Sequence, residues 1–411
     1  MEIKAWQQGL KSLVWVLVVA NYFAYSTVNM KIALLYVDAG KGHITPAKAL
    51  SDAFEDLGHA TVVDNLLLKV CNSPVANWIS KHYWRMQLHF PRLEKFVNSK
   101  SDSFTNAKRT RFLAIHSHAP KDFKRWYEDN KPDCIVVTHF LGANLIKPIV
   151  DHLGLNIPVF EYSADVFFTP NQAISGKLDK LYICTQLGKE LTIEQGQPEE
   201  TISICPFPLK KTMRDIKFLS KHEAREKLGL EDKFTILLNL GGEGIGTTDF
   251  LKEIQNRGFD WQVITVGTLS QSTAIHYKNF REKHPDFSLH TPGFVDNIQD
   301  YIFASDVQTG KAGANSLMES LYLRRPFLVS NLLYAALPTR EFMQRHKVGW
   351  TEDSVKEQVS IFQAYDQDKE EQEAMQQRFD KLPLSFDTLA FAAMIIEDAK
   401  TFYAQKVIKK A

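Results

Sequence analysis

The sequence has few cysteines and almost no net charge. Four cysteines stand among 411 residues without C-x-x-C spacing, which excludes a disulfide-stapled or zinc-finger protein and predicts buried thiols in a reducing compartment. Lysine and arginine total 49 against 48 aspartate and glutamate, so no overall field is available to hold a nucleic acid. The length allows two or three domains, and a hydrophobic content of 44% excludes a disordered chain.

An uncharged stretch, residues 12–30, precedes the first predicted strand. It lacks a clear A-x-A cleavage site, which argues against a cleaved export signal. Polar residues such as Asn21 and Asn29 dilute it below the usual hydrophobicity of a membrane span. Two interpretations of residues 1–29 stay open: a membrane or interfacial anchor, and a leader without structural role before a chain that begins at Met30.

Strand-length apolar runs alternate with helical periodicity, which is typical of βαβ units and parallel sheets. The pattern predicts an α/β protein with two Rossmann-like, doubly wound domains, residues 30–208 and 209–385. A closing helix is predicted over residues 386–411; its return to the first domain is what the family resemblance named below implies. The predicted strands are Ile32–Val37, Thr61–Asn65, Cys134–Thr138, Pro158–Tyr162, Lys180–Cys184, Thr201–Cys205, Phe234–Leu240, Trp261–Val266, Phe287–Thr291, Val307–Thr309 and Pro326–Ser330.

Residues 76–131 interrupt this alternation. They contain twelve lysines and arginines against five acidic residues, with large aromatic residues between them. Basic groups beside aromatic rings suit an anionic membrane surface, and Trp78, Trp84 and Arg85 are the candidate contacts. The alternative is a helical insertion that packs its aromatic residues inward and exposes its charges to water.

The first predicted strand runs into a glycine-containing loop, Asp38-Ala39-Gly40-Lys41-Gly42-His43. Glycines allow backbone amides to approach a ligand, and a helix predicted to start near Thr45 or Pro46 would turn its positive end toward an anion. His43 and Gly42 are therefore expected at a site on the carboxyl edge of the sheet. The alternative is a tight strand-to-helix turn with an incidental histidine.

A second glycine loop, which begins at Gly241 and Gly242, follows the strand Phe234–Leu240 and could hold phosphate. The dinucleotide fingerprint G-x-G-x-x-G is not completed, since position 247 is Thr and the next strand ends before Gly267 rather than at an acidic residue. This pattern argues against NAD binding.

The third loop contains Lys311 and Gly313 and leads into a helix with Ser316 and Glu319. Ser316 and Glu319 have the spacing of a capping box, which predicts a structural role for the carboxylate. The same carboxylate could accept hydrogen bonds from sugar hydroxyls, with Ser316 and nearby amides at a diphosphate. Both roles are compatible. Lys311 would supply the positive charge that a departing diphosphate requires.

Three motifs in this order resemble one family. They are the G-x-G-H-x-x-x-A-x-A-L pattern of 40–50, the Gly-Phe-Val-Asp-Asn-Ile turn of 293–298, and Lys311-x-Gly313 leading to Glu319 and Pro326. The chain resembles, over residues 30–349, the diacylglycerol glycosyltransferases, including the monogalactosyldiacylglycerol synthases, which are relatives of the GlcNAc transferase of the lipid-linked peptidoglycan precursor.

The resemblance implies a GT-B architecture, in which two Rossmann-like domains face each other across a cleft. The C-terminal domain would bind a UDP-sugar and the N-terminal domain the acceptor. By this resemblance Phe294 and Val295 lie along the uracil and Glu319 lies at the ribose, while His43 faces the cleft. The diphosphate would be surrounded by Gly241, Gly242, Gly313 and Ser316.

The chain departs from the family pattern at three places. Ala314 and Ser316 stand where the family usually shows a second Gly and a Thr. The G-Q-E segment that would touch the hexose is absent, and residues 335–341 read Ala-Ala-Leu-Pro-Thr-Arg-Glu instead. The family's Asp followed by His-Pro is only partly present, around Asp165 and Pro170. The identity of the hexose and the groups around the acceptor therefore stay open.

The predicted reaction is transfer of a hexose, with inversion, from a UDP-sugar to a membrane lipid, with diacylglycerol expected as acceptor. His43 and Asp165 are the candidate bases, and Asp165 is favoured, with His43 orienting the acceptor or binding phosphate. Helix N-termini and Lys311 would stabilise the leaving group, so no metal or other cofactor is expected. The enzyme is expected at the cytoplasmic face of a membrane, either peripheral or anchored by its N-terminal segment.

Two other functions fit the same architecture. A nucleotide-sugar epimerase would release a free sugar and would need no membrane surface. A non-catalytic nucleotide-sugar-binding module would explain the loss of the hexose-contacting motif.

Overall fold

The computed structural model describes residues 29–175, 177–239, 248–311 and 313–410. Residues 1–28, which form nearly all of the predicted leader, lie outside the described residues. None of the helices within the described ranges is both long enough and apolar enough to cross a bilayer.

The N-terminal half is built around a parallel sheet of apolar strands. Its strands are β1 (Lys31–Tyr36), β2 (Ala60–Asn65), β3 (Cys134–Val137), β4 (Val159–Tyr162), β5 (Lys180–Ile183) and β6 (Ile202–Ile204). Their order across the sheet is β2-β1-β3-β4-β5-β6, with every neighbouring pair parallel. All residues of β3 and β4 are buried, because helices cover both faces of a parallel sheet.

The C-terminal half contains a second sheet of the same kind. Its strands are β7 (Thr235–Asn239), β8 (Gln262–Val266), β9 (Leu289–Gly293), β10 (Val307–Lys311), β11 (Phe327–Asn331) and β12 (Gly349–Thr351). The order β12-β11-β10-β7-β8-β9 is again parallel throughout. Two doubly wound Rossmann-like sheets are therefore confirmed. The strand β12 was missed, because its three residues make no apolar run.

Helices connect the strands of both halves. In the N-terminal half they are α1 (Lys41–Asp56), α2 (Pro74–His89), α3 (Pro91–Ser101), α4 (Phe104–His116), α5 (Ala119–Asn130), α6 (Lys147–His152) and α7 (Gln186–Glu194). After β6 they are α8 (Lys211–Arg214), α9 (Lys221–Leu228), α10 (Thr248–Arg257), α11 (Gln271–Lys283), α12 (Ile298–Ala304), α13 (Ala314–Tyr322), α14 (Thr339–His346), α15 (Val355–Gln367), α16 (Lys369–Asp380) and α17 (Thr388–Lys410). Single π or 3-10 turns occur at Leu66–Val70, Gly142–Ile146, Asn171–Ala173, Glu199–Thr201 and Tyr334–Ala336.

The segment that interrupts the alternation in sequence is a helical insertion between β2 and β3. It consists of α2, α3, α4 and α5. Trp126 on α5 belongs to the core, since it is only 7% exposed and its indole N–H donates to Asp64 Oδ2 at 2.8 Å. All four cysteines are buried free thiols, as the sequence predicted.

The last helix, α17, packs against the N-terminal half. Phe391 is fully buried, with its ring 5.6 Å from that of Tyr162 and 5.2 Å from that of Tyr182. The Tyr182 hydroxyl donates to Asp398 Oδ2 at 2.7 Å, and the Tyr403 hydroxyl donates to the carbonyl of Asp133 at 2.8 Å. The end of the chain thus holds the N-terminal sheet through aromatic packing and two hydrogen bonds.

Truncating the buried aromatic side chain of α17 will test this packing. Phe391→Ala is expected to lower the free energy of unfolding by about 3–5 kcal/mol, because it leaves a cavity between two tyrosine rings. Urea denaturation followed by circular dichroism measures the loss. Leu389→Ala, on the same helix but 36% exposed, is the matched control and should cost less than about 1 kcal/mol. Equal losses in both variants would contradict the packing.

Candidate active site

The strand order of each sheet reverses at one point, where a crevice opens at the carboxyl ends of the strands. In the first sheet this point lies between β1 and β3, and in the second between β7 and β10. All three loops that the sequence analysis singled out follow one of these strands. The described parts of these loops therefore lie at the crevices of the two sheets.

Two cavities lie at these crevices. One has a volume of about 650 Å³ and is lined mainly by apolar side chains; we call it the acceptor cavity. The other has a volume of about 310 Å³ and is more polar; we call it the donor cavity. Five residues line both cavities: Ala39, His43, Trp84, Asp165 and Ala314. The two candidate bases, His43 and Asp165, thus lie where the cavities meet.

His43 is held in place by β3. Its Nδ1 lies 2.6 Å from the carbonyl oxygen of Thr138, and the Thr138 hydroxyl donates to the carbonyl of His43 at 2.7 Å. A carbonyl oxygen only accepts, so Nδ1 carries the proton in this contact. In the neutral imidazole, the lone pair is therefore on Nε2.

A second histidine, His139, lies beside the first and was not singled out from the sequence. The two rings meet edge to face with centroids 4.6 Å apart. Burial, together with the nearby His43, lowers the pKa of His139 well below its usual value, so it is uncharged at neutral pH. Its Nδ1 accepts a hydrogen bond from the backbone N–H of Leu141 at 3.2 Å, which leaves Nε2 as the protonated nitrogen. Its position directly after β3, at the carboxyl edge, was the signal available in the sequence.

Asp165 follows β4 in a strained turn. The N–H of Phe167 donates to the carbonyl of Asp165 at 2.5 Å, and the residue between them, Val166, has φ of 43°. A β-branched residue rarely adopts this left-handed region, and such strain concentrates at functional sites. Among the described residues, the Asp165 carboxylate has no hydrogen-bond or ion-pair partner. Burial raises its pKa, and the nearby His43 partly opposes this effect.

The helix after the first glycine loop begins earlier than predicted. The start near Thr45 or Pro46 is wrong, since α1 begins at Lys41 and contains Pro46. At this position proline removes a single backbone hydrogen bond, to the carbonyl of Gly42, so the helix tolerates it. Gly40 precedes the helix with φ of 74°, and a Cβ there would come within 2.7 Å of Trp84 Nε1. The loop therefore needs glycine at 40 to let Trp84 approach.

The donor cavity collects the nucleotide-site residues that were predicted from the resemblance. Phe294, Val295, Gly313, Ser316 and Glu319 all line it, together with Gly42. The ammonium of Lys41 lies 4.5 Å from the centroid of the Phe294 ring, and the Asn315 amide donates to the carbonyl of Lys41 at 3.3 Å. Lys41 belongs to the N-terminal half and the other two residues to the C-terminal half, so both halves form this cavity.

The capping box predicted for Ser316 and Glu319 is wrong. The helix α13 begins at Ala314 and its N-cap is Gly313, without a side-chain hydrogen bond at the cap. Ser316 therefore lies in the first turn, where its hydroxyl oxygen accepts a hydrogen bond from Asn239 Nδ2 at 3.1 Å. The Glu319 carboxylate is instead 3.1 Å from the ammonium of Lys210. Both side chains are thus turned toward the donor cavity.

Three of the predicted donor-site groups cannot be placed. Gly241 and Gly242 lie outside the described residues. Lys311 ends β10, and its side chain is also outside what the structure describes.

Polar groups from both halves meet at one wall of the acceptor cavity. The backbone N–H of Tyr334 lies 3.1 and 3.0 Å from the two carboxylate oxygens of Glu94, and the Tyr334 hydroxyl donates to Asp102 Oδ2 at 3.1 Å. Glu94 and Asp102 are 4% and 9% exposed. Burial raises the pKa of Glu94, and burial beside Asp102 raises the pKa of Tyr334 to about 12. The segment that stands where the family has G-Q-E, residues 335–341, lines the same cavity through Ala336 and Thr339, next to Tyr334.

The helical insertion carries both lining residues and exposed apolar side chains. Trp78 is 58% exposed and stacks on His82 with centroids 4.0 Å apart, and Arg85 is also exposed. Ile79 lines the acceptor cavity and is nevertheless 54% exposed, so the cavity reaches the exposed face. We call this face the apolar surface, and it comprises Val75, Trp78, Ile79, Met86, Phe90, Leu93, Phe96, Phe104, Phe112 and Leu113.

The two glycines of the first loop are expected to respond differently to alanine. Gly40→Ala should lower the free energy of unfolding by about 1–3 kcal/mol, because the new methyl group meets Trp84 and the backbone is left-handed. Gly42→Ala, two residues away, has open space around its Cβ and lies within α1, so it should gain about 0.5–1 kcal/mol. Urea denaturation measures both changes. A Gly40 variant as stable as the wild type would contradict the close approach.

Comparisons with known proteins show which proteins this chain resembles. No protein-family model matches the chain. The processive diacylglycerol β-glucosyltransferase of Bacillus pumilus (strain SAFR-032) is 23% identical over 399 residues, which cover 93% of this chain and 99% of that protein. MurG of Acinetobacter baumannii aligns with a TM-score of 0.57 at 12% identity, over 90% of this chain and 99% of its own. HepE of Anabaena, solved with UDP and glucose, aligns with a TM-score of 0.51 at 11% identity, over 92% and 99% of the two chains.

The likeness extends over nearly the whole chain rather than over one sheet. It agrees with the two facing Rossmann-like sheets and with the order of the motifs in the sequence. The GT-B architecture and the expectation of a glycosyltransferase are therefore confirmed, and the chain is a relative of the diacylglycerol glycosyltransferases.

Proposed function

We propose that this protein transfers a hexose, with inversion, from a UDP-sugar to the hydroxyl group of a membrane lipid, diacylglycerol. One observation carries the proposal: a larger, mainly apolar cavity and a smaller, more polar cavity share His43 and Asp165 in their linings. A transferase for a polar donor and a lipid acceptor needs two such sites joined at its reacting groups.

The donor cavity suits a uridine nucleotide. The exposed ring of Phe294 offers a flat face for a base, and the Glu319 carboxylate can accept hydrogen bonds from ribose hydroxyls. The start of α13, with Gly313 and Ser316, directs backbone N–H groups at a diphosphate. The HepE structure, which holds UDP, shares the fold. These features together support UDP as the carrier.

The acceptor hydroxyl attacks the anomeric carbon while the bond from that carbon to the diphosphate oxygen breaks. In our proposal the hydroxyl proton passes to Nε2 of His43, because Nδ1 is already engaged with Thr138. The Asp165 carboxylate then stabilises the imidazolium electrostatically. The sequence alone favoured Asp165 as the base. We assign the role of base to His43 instead, because the orientation of its ring leaves the lone pair on Nε2.

Inversion is proposed because two separate cavities share His43 and Asp165 in their linings. In this proposal the acceptor enters from one cavity and attacks the anomeric carbon opposite to a diphosphate held in the other. The Bacillus pumilus relative is named as a β-glucosyltransferase. A β-glucoside is the product expected when α-linked UDP-glucose is attacked from the opposite face.

The apolar surface supports a lipid acceptor and a peripheral position on an anionic membrane. Its helices also carry exposed basic side chains: Arg85, Arg92, Lys100, Lys108 and Arg109. Basic groups attract anionic headgroups, and exposed aromatic rings enter the interface between headgroups and acyl chains. Ile79 belongs to both the surface and the acceptor cavity, which gives a lipid headgroup a short path inward. We place the enzyme at the cytoplasmic face of the membrane, in keeping with its four free thiols.

The alternatives from the sequence are less well supported. A nucleotide-sugar epimerase needs no acceptor, and the acceptor cavity of about 650 Å³ would have no occupant. A non-catalytic binding module would not need an unpartnered carboxylate beside an oriented imidazole.

Transfer activity is tested by incubating the protein with radiolabelled UDP-glucose or UDP-galactose and diacylglycerol vesicles. Labelled glycolipid is expected, whereas a free epimer or unchanged donor would support one of the two alternatives. His43→Ala and Asp165→Asn should each lower kcat by about 10²–10⁴-fold. The first variant removes the proposed base, and the second removes the charge that stabilises its imidazolium. Thr45→Ser, a donor-cavity change that keeps the hydroxyl, is the matched control and should leave kcat close to the wild-type value.

The pH profile of kcat separates the roles of the two residues. A raised pKa means that Asp165 takes up its proton at a higher pH than an ordinary carboxyl group. Acidification should therefore remove its negative charge, and part of the activity, above the usual carboxyl range. Asp165→Asn is expected to abolish that part of the pH dependence. An unchanged acid limb in Asp165→Asn would show that the carboxylate takes no part in the reaction.

Membrane attachment is tested by sedimentation with vesicles that contain anionic lipid. Phe90→Ser together with Phe96→Ser should weaken vesicle binding by at least about tenfold. The double variant lacks two exposed aromatic rings that would otherwise move from water into the membrane interface. Ile275→Ser, an exposed apolar residue on α11 of the C-terminal half, is the control and should not change binding. Equal binding by all three proteins would remove the apolar surface from the proposal.

A further inference from the structure

Lys210 occupies an unusual position between the two halves of the chain. It lies in the segment that links β6 to α8, and its side chain lines the donor cavity. Its ammonium is 3.1 Å from Glu319 Oε1, and Glu319 itself is only 7% exposed. The resemblance to known glycosyltransferases assigned no role to this lysine.

The backbone around Lys210 is fixed. The N–H of Leu209 donates to the Thr388 hydroxyl at 2.9 Å, and that hydroxyl donates to the carbonyl of Leu209 at 3.1 Å. On the other side, Lys211 and Arg214 form ion pairs with Asp56 at the end of α1. The linker is thus anchored before and after Lys210, and only its side chain has freedom to move.

The ion pair between Lys210 and Glu319 competes with the ligand expected at the same carboxylate. In the proposed function, Glu319 accepts hydrogen bonds from ribose hydroxyls. A carboxylate that binds both hydroxyls of a ribose gives up at least part of its contact with an ammonium. The ammonium then lies in the donor cavity beside Gly313 and Ser316, where the diphosphate is expected.

Two lysines line the donor cavity among the described residues, and their partners differ. Lys41 lies over the Phe294 ring, where a uracil base is expected. The ammonium of Lys210 pairs with Glu319, and the Lys210 side chain is 44% exposed. The backbone carbonyl of Lys210 accepts from the N–H groups of Met213 and Arg214. A change of partner by the Lys210 ammonium therefore needs only rotation of its side chain.

We propose that Lys210 is a donor-site residue that alternates between two partners. In the empty site its ammonium neutralises Glu319, and when a uridine diphosphate binds, the ribose takes Glu319 and the ammonium pairs with the diphosphate. This inference rests on the proposed UDP-sugar site. Lys210 then stabilises the charge that grows on the leaving UDP as the glycosidic bond to the sugar breaks.

Comparing uridine with UDP tests this exchange, because the two ligands differ only in the diphosphate. Lys210→Ala is expected to bind UDP about tenfold more weakly, since a charge-assisted contact is lost. Uridine should bind at least as tightly as to the wild type, because Glu319 no longer has a competing partner. The preference for UDP over uridine, measured by calorimetry as the ratio of their association constants, therefore falls about tenfold. Lys210→Arg should keep most of the wild-type ratio.

Two further variants make the result specific. Lys211→Ala changes the neighbouring lysine, whose partner Asp56 is also held by Arg214, and should leave the affinity ratio unchanged. Glu319→Gln should weaken uridine and UDP in parallel, because it changes the ribose contact. Thermal unfolding of each variant confirms that it is folded. A Lys210→Ala protein with the wild-type ratio overturns this inference, whereas a wild-type protein that binds neither ligand overturns the proposed function itself.

Discussion

Parallel pairing in both sheets is the constraint on which the site depends. Parallel strands end at one edge, so the loops after β1, β3 and β4 come together, as do those after β7 and β10. Where these two edges face each other, the imidazole of His43 and the carboxylate of Asp165 lie in the linings of both cavities. No single segment of the chain contains this site. It arises from short loops brought together by the two sheets.

The two cavities differ in polarity because different parts of the chain build them. The donor cavity is made of strand-to-helix loops, which expose backbone N–H groups and short polar side chains. The acceptor cavity is enlarged by the insertion between β2 and β3, whose helices turn apolar residues inward and outward alike. Residues of α2 and α3 and Asp102 line the acceptor cavity, whereas Trp84 is the one residue of the insertion in the described lining of the donor cavity. The lipid-related part of the proposed function is thus added to an otherwise ordinary Rossmann-like half.

The elements that could be predicted were those encoded locally. Apolar runs of strand length located eleven of the twelve strands close to their bounds, and glycine loops after strands pointed to residues that line the donor cavity. The start of α1 was missed because neither the left-handed backbone of Gly40, packed beside Trp84, nor a proline inside the helix is indicated by the local pattern. His139 was missed because no motif surrounds it. The contact of Lys210 with Glu319 joins residues more than a hundred positions apart, so no local pattern indicates it.

Contacts between distant segments account for the remaining differences. The contact between Tyr334 and Glu94 joins residues 240 positions apart, and no local pattern reports such a pairing. The absence of the G-Q-E segment was visible in the sequence, but the position of residues 335–341 in the fold was not. Ala336 and Thr339 of this segment line the acceptor cavity, and no residue of the segment is among those that line the donor cavity.

Because Tyr334 belongs to the C-terminal half, the two halves of this protein are not interchangeable modules. Grafting the C-terminal half of another GT-B protein onto the first 208 residues would alter more than the donor cavity. It would also remove the partner of Glu94 and Asp102 and leave two buried carboxylates without it. The insertion helices and the C-terminal half are therefore matched to each other, and a chimera would need its insertion helices redesigned.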